Sequence, residues 1–146
     1  IGAKRFKDGK TSEYEKSVRK MIEPLQEQAE ITGFLPLTKV NEELAKAAIA
    51  IVPSVWQEPA SRAVLEALAN GCALITTRVG GIPERAEGRA LIVEKPNSTS
   101  LASAVRALLS ETKMLKKLLD VAWNDYPFDC ASMAEGIDAA RKKIVS

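Results

Sequence analysis

IAIVPSVWQEPASRAVLEALANGCALITT, residues 49–77, contains two short apolar runs on either side of a segment with helical periodicity. The apolar residues of these runs do not alternate with polar ones, which is typical of strands buried on both faces of a parallel sheet. Pro53 ends the first run, and Gly71 ends the helical segment, which we expect to span 59–70. The stretch therefore predicts a parallel strand–helix–strand unit.

The same alternation of strands and helices continues along the chain. Ser12 and Glu15 fit a capping box at the start of a first helix, which Pro24 should kink or divide. The other predicted elements are a short strand within 29–36 that Gly33 and Pro36 stop, a helix capped by Asn41, a strand at 90–94, a helix at 98–109 capped by Ser98 or Thr99, and helices at 113–123 and 131–145. The predicted fold class is α/β, a Rossmann-like parallel sheet with helices on both faces, in a single domain over 1–146.

The composition is that of an ordinary globular protein, with 46 % apolar and 27 % charged residues. A net charge of +2 gives no argument for nucleic acid or an anionic membrane as a partner. The chain has no histidine, which excludes a His-based metal site, triad or general base within it. Its two cysteines, Cys72 and Cys130, lie far apart, which excludes a zinc ribbon and a disulfide scaffold and suits a reducing compartment.

Glu58 and Glu66 lie near the place where a ligand is expected. Ligands of parallel sheets bind outside the carboxyl ends of the strands, where this chain is predicted to have loops at 33–41, 53–58 and 76–84. Carboxylates accept hydrogen bonds from paired hydroxyl groups, and so they suit sugars. The position of Glu58 and Glu66 near the carboxyl ends of the strands is enough to make them candidate ligand contacts.

The start of the helix after Glu58 is a candidate anion site. Pro59 suits the first helical position, because its missing N–H would be unpaired there. The amides of Ala60, Ser61 and Arg62 would then be unpaired donors, which attract phosphates. A diphosphate here, with a sugar on one side and a ribose on the other, could contact both carboxylates.

A plainer interpretation of the glutamates stays open on spacing alone. Arg62 and Glu66 lie four residues apart on one helix face, so they could form a solvated ion pair worth a few tenths of a kcal/mol. Glu58 could simply complement the helix dipole.

The RVGGIPE segment at 78–84 is a second candidate. Gly80 and Gly81 permit backbone conformations that are closed to other residues, and Pro83 suits a helix start. The segment lacks the Gly-Lys-Ser/Thr of a P-loop and the spacing of a GxGxxG motif. It predicts either a loop that approaches a polar ligand or a tight strand-to-helix turn.

The block from 48 to 84 resembles the donor-binding, C-terminal half of a GT-B glycosyltransferase of family 4. In that family a strand ending in Pro-Ser is followed by Glu-Pro-Phe-Gly, Leu-Glu-Ala, a glycine, a strand, a threonine, Gly-Gly and Pro-Glu. The matching residues here are Pro53-Ser54, Glu58-Pro59, Leu65-Glu66-Ala67, Ala69, Gly71, Thr76, Gly80-Gly81 and Pro83-Glu84. A looser resemblance covers nearly the whole chain.

The resemblance implies transfer of a hexosyl group from a nucleotide diphosphate sugar, with retention at the anomeric carbon and with no metal or other cofactor. Glu58, which we predict as the catalytic residue, would contact hydroxyls of the transferred sugar, and Glu66 would bind the ribose hydroxyls. The other residues implied in donor binding are Ala60 and Ser61 through their amides, Thr76, Gly80 and Gly81 as lining, and Lys39 and Val40 through backbone atoms that meet the base. Preorganised amides would stabilise the charge that develops on the departing nucleoside diphosphate.

Three features depart from the family pattern. Ala60-Ser61 stands where Phe-Gly is usual, which bears on donor identity and activity. Ala48 holds the place of an aspartate that often precedes the strand. The basic clamp for the diphosphate and the acceptor-binding half belong to sequence before the start of this chain. Because the chain begins IGAKRFKDGK without a methionine, we expect a fragment that lacks the N-terminal edge of its sheet and is inactive alone.

The expected partners are a nucleotide sugar and, through the missing N-terminal domain, an acceptor glycan or lipid-linked glycan, with no nucleic acid. The expected location is the cytoplasm, either free or peripheral at the inner face of the membrane. The main alternative, which Ala60-Ser61 favours, is a non-catalytic α/β module that binds a nucleotide or a protein. A related GT-B activity, epimerisation or phosphorolysis, is disfavoured because such enzymes rely on histidines that this chain lacks.

Overall fold

The computed structural model describes residues 12–94, 96–124, 126 and 129–145, except for the side chains of 123–124 and 144–145. In chain order the elements are α1 (Glu13–Ile22), a 3-10 turn (Glu23–Gln28), α2 (Leu37–Lys46), β1 (Ile49–Val52), α3 (Arg62–Ala69), β2 (Ala73–Thr77), α4 (Ile82–Ala86), β3 (Ala90–Val93), α5 (Ser98–Ser110), α6 (Thr112–Asn124) and α7 (Cys130–Val145). In the part of the chain that is described, no helix is both long and apolar enough to cross a membrane.

The chain divides into two compact units, Ile1–Glu43 and Leu44–Ser146, with the boundary inside α2. The predicted single domain over 1–146 stays a prediction.

The first unit begins its described part with the predicted capping box. The Ser12 hydroxyl accepts a hydrogen bond from the Glu15 amide at 3.1 Å, and the Glu15 carboxylate accepts one from the Ser12 amide at 2.7 Å. Pro24 lies in the 3-10 turn that follows α1, and Gln26, at φ 47° and ψ −125°, leaves the helical path. The predicted interruption at Pro24 is therefore confirmed.

The strand predicted at 29–36 is wrong. No residue of this segment is in a strand, and Gly33 takes a left-handed φ of 68°. The left-handed φ is consistent with the predicted stop at Gly33, since a strand needs a strongly negative φ at each residue. The residues before it are not paired with the sheet of β1, β2 and β3, and so they form no strand.

The start predicted for α2 is also wrong. The amides of Lys39 and Val40 donate to the Pro36 carbonyl at 2.9 and 3.0 Å, so helical bonding is established before Asn41. The helix begins at Leu37, and Asn41 lies inside it rather than at its N-cap. The loop expected at 33–41 is consequently shorter and does not follow a strand.

The second unit contains a parallel sheet, as predicted, and its strand order is β1-β2-β3. Ala50 is paired with Leu74, and Ile75 with Leu91. All five residues of the central strand β2 are buried, whereas the outer strand β1 exposes Ile51. The interpretation of ALITT as a buried strand is confirmed.

Helices cover both faces of this sheet. On one face Leu74 of β2 belongs to a core with Leu68 of α3 and Ile82 of α4. On the other face Ile75 of β2 belongs to a second core with Leu108 of α5. Alternate residues of one strand thus serve two cores, as the two-residue period of a strand requires. The predicted arrangement of helices on both faces is confirmed.

The helix α3 begins later than predicted. Ser61 is extended, at φ −84° and ψ 108°, and the first backbone bond of the helix runs from the Leu65 amide to the Ser61 carbonyl at 3.3 Å. Pro59 therefore lies before the helix and not at its first position, where the sequence placed it. The end is as predicted, since Gly71 has a φ of 76° and its amide donates to the Leu68 carbonyl at 2.9 Å.

The helix α5 is capped by Asn97 and not by Ser98 or Thr99. Asn97 Oδ1 accepts from the Ser100 amide at 2.9 Å, and the Asn97 backbone is extended, at φ −131° and ψ 164°. The helices α6 and α7 agree with their predicted bounds to within one residue.

Candidate active site

Two buried threonines at the end of β2 fix the loop that follows β1. The Thr76 hydroxyl donates to the Val52 carbonyl at 2.9 Å, and the Thr77 hydroxyl donates to the Ser54 carbonyl at 2.5 Å. Both threonines are fully buried. Because these hydroxyls bond carbonyls at the last residue of β1 and two residues after it, the carboxyl ends of β1 and β2 are held together.

Glu58 lies in this loop, and one of its two carboxylate oxygens accepts a hydrogen bond from within the loop. The Ser54 hydroxyl donates to Glu58 Oε2 at 2.9 Å. Among the residues that the structure describes, no group bonds the other oxygen, Oε1. The Glu58 amide donates to the Trp56 carbonyl at 2.8 Å, which closes a tight turn before the carboxylate. The arrangement leaves one acceptor oxygen available to a hydroxyl donor.

The Gly80-Gly81 segment packs directly on the Glu58 loop. The Gly81 amide donates to the Glu58 carbonyl, and the Gly80 amide donates to Gln57 Oε1, both at 2.8 Å. A Cβ at Gly80 would overlap the Glu58 backbone, and a Cβ at Gly81 would overlap the Pro59 carbonyl oxygen. The glycines therefore allow two backbones to touch, which no larger residue would permit.

The same segment is also a strand-to-helix turn. Gly81 is the N-cap of α4, and Pro83 lies in the first turn of that helix, as the sequence predicts. The interpretation of RVGGIPE as a strand-to-helix turn is therefore confirmed, and its approach to a polar ligand stays a prediction.

Glu66 forms the ion pair with Arg62 that its spacing predicts. Arg62 Nη2 lies 3.3 Å from Glu66 Oε1, and the Asn70 side-chain amide donates to the Glu66 carbonyl at 2.8 Å. The Arg62 side chain is 79 % exposed and that of Glu66 26 % exposed, so this ion pair is worth only a few tenths of a kcal/mol. Such a weak bond does not prevent the carboxylate from binding a ligand.

The region between the two glutamates differs from its prediction in one respect. Because Ser61 is the N-cap, the amides that precede the first helical bond run from Ser61 to Val64, and Ala60 lies outside them. Ser61 is 1 % exposed, and its hydroxyl has no hydrogen-bond partner in the described part of the chain. Ala60 is exposed.

Lys39 and Val40 lie in α2, in the part of that helix that belongs to the first unit. Their amides donate to the Pro36 carbonyl, and Lys39 Nζ lies 2.6 Å from Glu42 Oε2. The predicted contact of their backbones with a base stays a prediction.

Arg78, at the start of the loop that follows β2, has two structural partners. Arg78 bonds Glu94 at 2.7 Å and Glu87 at 3.1 Å, and these hydrogen bonds raise the pKa of its guanidinium above the ordinary value. The described residues contain no group of three or more His, Cys, Asp or Glu side chains placed to hold a metal ion.

The family model described as Glycosyl transferases group 1 matches residues 8–111. The chain belongs to this glycosyltransferase family. The matched range contains the whole of β1, β2 and β3 and both loops that meet at Glu58.

Curated relatives of this glycosyltransferase chain are considerably longer. The Bacillus subtilis (strain 168) protein YtcC, whose name assigns it provisionally to the glycosyltransferases, is 28 % identical over 120 residues, 80 % of this chain and 30 % of YtcC. Alpha-maltose-1-phosphate synthase of Mycolicibacterium smegmatis is 37 % identical over 89 residues, 56 % of this chain and 23 % of the relative. The chain therefore spans less than a third of the length of these two proteins.

Solved structures share the fold. A structure of Anabaena Alr3699/HepE in complex with UDP-glucose has a TM-score of 0.73 and 19 % identity, covering 89 % of this chain and 37 % of that one. Sucrose-phosphate synthase from Thermosynechococcus elongatus has a TM-score of 0.66 and 18 % identity, covering 99 % of this chain and 38 % of that one. The predicted fold of the C-terminal domain of GT-B glycosyltransferases is confirmed.

Three residues of the candidate site of this glycosyltransferase chain were not predicted as functional from the sequence. Ser54 bonds the Glu58 carboxylate, Gln57 bonds the Gly80 amide and Thr77 holds Ser54. A signal existed for Thr77, because a second threonine at the end of an otherwise apolar buried strand needs a hydrogen-bond partner. No signal identified Gln57, since its partner lies 23 residues away in sequence.

Proposed function

We propose that this chain is the nucleotide-sugar-binding part of a retaining glycosyltransferase of family 4, which transfers a hexosyl group from a nucleotide diphosphate sugar. The observation that carries the proposal is the Glu58 carboxylate, which Ser54 holds by one oxygen, in the loop at the carboxyl end of β1 whose backbone bonds the loop that follows β2. The membership of the chain in a glycosyltransferase family supports it. UDP-glucose in the similar Anabaena structure supports the class of donor.

Each site residue has a role in this proposal. Glu58 accepts hydrogen bonds from hydroxyls of the transferred sugar, and Glu66 accepts them from the ribose. The first amides of α3, from Ser61 onwards, bind the diphosphate and stabilise the charge that develops as it leaves. Ala60, Gly80 and Gly81 line the donor site, and the buried Thr76 supports it through its bond to the Val52 carbonyl. The backbone atoms of Lys39 and Val40 meet the base. No metal takes part in this scheme.

The rest of the proposed reaction lies outside this chain. A glycan or lipid-linked glycan acceptor binds to an N-terminal domain, and the protein acts in the cytoplasm or at the inner face of the membrane. We expect residues 1–146 alone to transfer no sugar, because the acceptor domain and the basic clamp for the diphosphate are supplied by other sequence. Efficient transfer by this chain alone would contradict that expectation.

The role of Glu66 tests the proposal. Glu66→Ala should weaken the binding of both UDP and UDP-glucose about tenfold or more, since two hydrogen bonds from ribose hydroxyls to a carboxylate are lost. Isothermal titration calorimetry on the intact protein measures both affinities. Glu13→Ala is the matched control, because it also removes a glutamate from an ion pair on a helix surface, with Lys16. Equal affinities in the Glu66→Ala and unmodified proteins would refute the ribose contact.

The second candidate is a non-catalytic module that binds a nucleotide or a protein. Ala60-Ser61 in place of the usual Phe-Gly favours it, and so does the burial of Ser61, which places a side chain where the family has none. Titration with UDP-glucose followed by NMR separates donor binding from a module that binds only a protein. Shifts clustered at Ser61, Glu66 and Gly81 support donor binding, and their absence supports the protein-binding module. A module that binds a nucleotide without catalysis is separated by the absence of sugar transfer in the intact protein.

A further inference from the structure

We propose that Ser54 is a positioning residue, which orients the Glu58 carboxylate so that its Oε1 meets a hydroxyl of the donor sugar. The inference rests on the proposed function, in which Glu58 contacts that sugar. The Ser54 hydroxyl donates to Glu58 Oε2 at 2.9 Å, and the negative charge of the acceptor strengthens this bond. One carboxylate oxygen is thereby used to set the orientation, and the other is presented to the ligand.

Ser54 is itself fixed from the centre of the sheet. Its carbonyl accepts a hydrogen bond from the Thr77 hydroxyl at 2.5 Å. Thr77 is fully buried at the end of the central strand β2. Ser54 is therefore a donor whose backbone is held in place, unlike a serine on a free surface loop.

The bond between Ser54 and Glu58 is not required to close the loop. The Glu58 amide donates to the Trp56 carbonyl, and the Glu58 carbonyl accepts from the Gly81 amide, both at 2.8 Å. With the main chain held at these points, the remaining freedom of Glu58 is in its side-chain torsions, which the Ser54 hydroxyl restricts. A carboxylate that is already restricted loses less conformational entropy when it binds a sugar hydroxyl.

The test compares a ligand that carries the sugar with one that lacks it. In the intact protein, Ser54→Ala should weaken the binding of UDP-glucose about fivefold and leave the binding of UDP unchanged, as measured by calorimetry. Ser54→Thr, which keeps the hydroxyl, should restore most of the affinity for UDP-glucose. Ser110→Ala is the matched control, because that hydroxyl bonds the Arg106 carbonyl at the end of α5. It should change neither affinity.

A double-mutant cycle with Glu58→Ala decides the role of Ser54. If Ser54 acts through Glu58, the double variant binds UDP-glucose no more weakly than Glu58→Ala alone. An equal loss of UDP and UDP-glucose affinity in Ser54→Ala would overturn the inference, because a purely structural role affects both ligands.

Two further outcomes separate this inference from the function on which it rests. If Glu58→Ala weakens UDP-glucose binding and Ser54→Ala does not, the sugar contact stands and the role of Ser54 is rejected. If Glu58→Ala leaves UDP-glucose binding unchanged, the sugar contact proposed for Glu58 is rejected, and the role of Ser54 with it.

Discussion

Glu58 is held at three points by three different partners. Its amide bonds Trp56 within the same loop, its carbonyl bonds Gly81 at the start of α4, and its carboxylate bonds Ser54. Two of these bonds use the main chain. Removal of the side chain should therefore leave the loop in place. A loss of ligand binding in Glu58 variants would then result from the loss of the carboxylate and not from a change in the loop.

The close approach of the two loops gives a prediction about Gly81. A Cβ at this position would overlap the Pro59 carbonyl oxygen, although the φ of Gly81, −84°, is accessible to any residue. Gly81→Ala should lower the free energy of unfolding by about 3 kcal/mol or more, through overpacking alone. Urea unfolding followed by circular dichroism measures this change.

Gly88 is the matched control for this substitution. It has a left-handed φ of 75°, but a Cβ would meet no atom within 4 Å. Gly88→Ala should therefore cost only the backbone strain, about 1–2 kcal/mol. A smaller loss for Gly81→Ala than for Gly88→Ala would contradict the contact between the loops.

Three helices of this chain begin at polar residues whose side chains accept hydrogen bonds from backbone amides. Ser12, Asn97 and Asp129 do so at the starts of α1, α5 and α7. The sequence predicted Ser12, because Glu15 completes a capping box with it. It missed Asn97, since Asn97, Ser98 and Thr99 are all good caps, and the choice depends on which residue has an extended backbone.

The cap of α7 gives a prediction about pH. Hydrogen bonds from the Ser132 amide and hydroxyl, and from the Ala131 amide, lower the pKa of Asp129. A carboxyl whose pKa falls on folding stabilises the folded state above its unfolded pKa of about 3.9, and this contribution is lost as the pH falls through the folded value. An NMR titration of the Ser132 amide shift should therefore have its midpoint below about 3.9.

Asp129→Asn is the control for this titration. Asparagine is also a good N-cap but carries no charge, so α7 should keep its start and the Ser132 shift should lose its acid transition. A midpoint at or above the unfolded pKa in the unmodified protein would show that the cap does not favour the carboxylate.

At the scale of the whole molecule, the sequence predicted the second unit better than the first. Apolar runs such as ALITT identify buried strands, because successive residues of a strand face opposite sides of the sheet and both must then be apolar. Leu74 and Ile75 show this, since each belongs to the core on one side. The strand predicted within 29–36 failed because the same apolar character is compatible with an irregular segment, and pairing with a sheet decides between them.

The candidate site was predictable in its acidic residues and less so in its supports. Glu58 and Gly81 were identified by motif, but their mutual contact joins residues far apart in the chain. The exact start of α3 was missed because a proline suits both a first helical turn and the loop before it. That choice depends on the backbone of Ser61, which local sequence does not determine.

The two cysteines provide a probe of how the second unit opens. Cys72 is fully buried in the core beside α3, its Sγ donates to the Leu44 carbonyl at 3.3 Å, and burial raises the pKa of its thiol. Cys130, at the start of α7, is exposed. At neutral pH iodoacetamide should modify Cys130 in the folded protein. It should modify Cys72 at least about a thousandfold more slowly, because Cys72 must first be exposed by unfolding.

Mass spectrometry of the Cys130→Ser variant measures the slow reaction without interference from the other thiol. The rate at Cys72 should rise with urea in parallel with global unfolding, since its surroundings include residues of both β2 and α3.

A ligand that binds only the folded protein should slow the labelling of Cys72 further, because it lowers the population of the open state. If UDP-glucose slows it and an equal concentration of glucose does not, the nucleotide part of the donor contributes to binding. Rapid labelling of Cys72 without urea would instead show that this core opens locally, and would rule out its use as a measure of global stability.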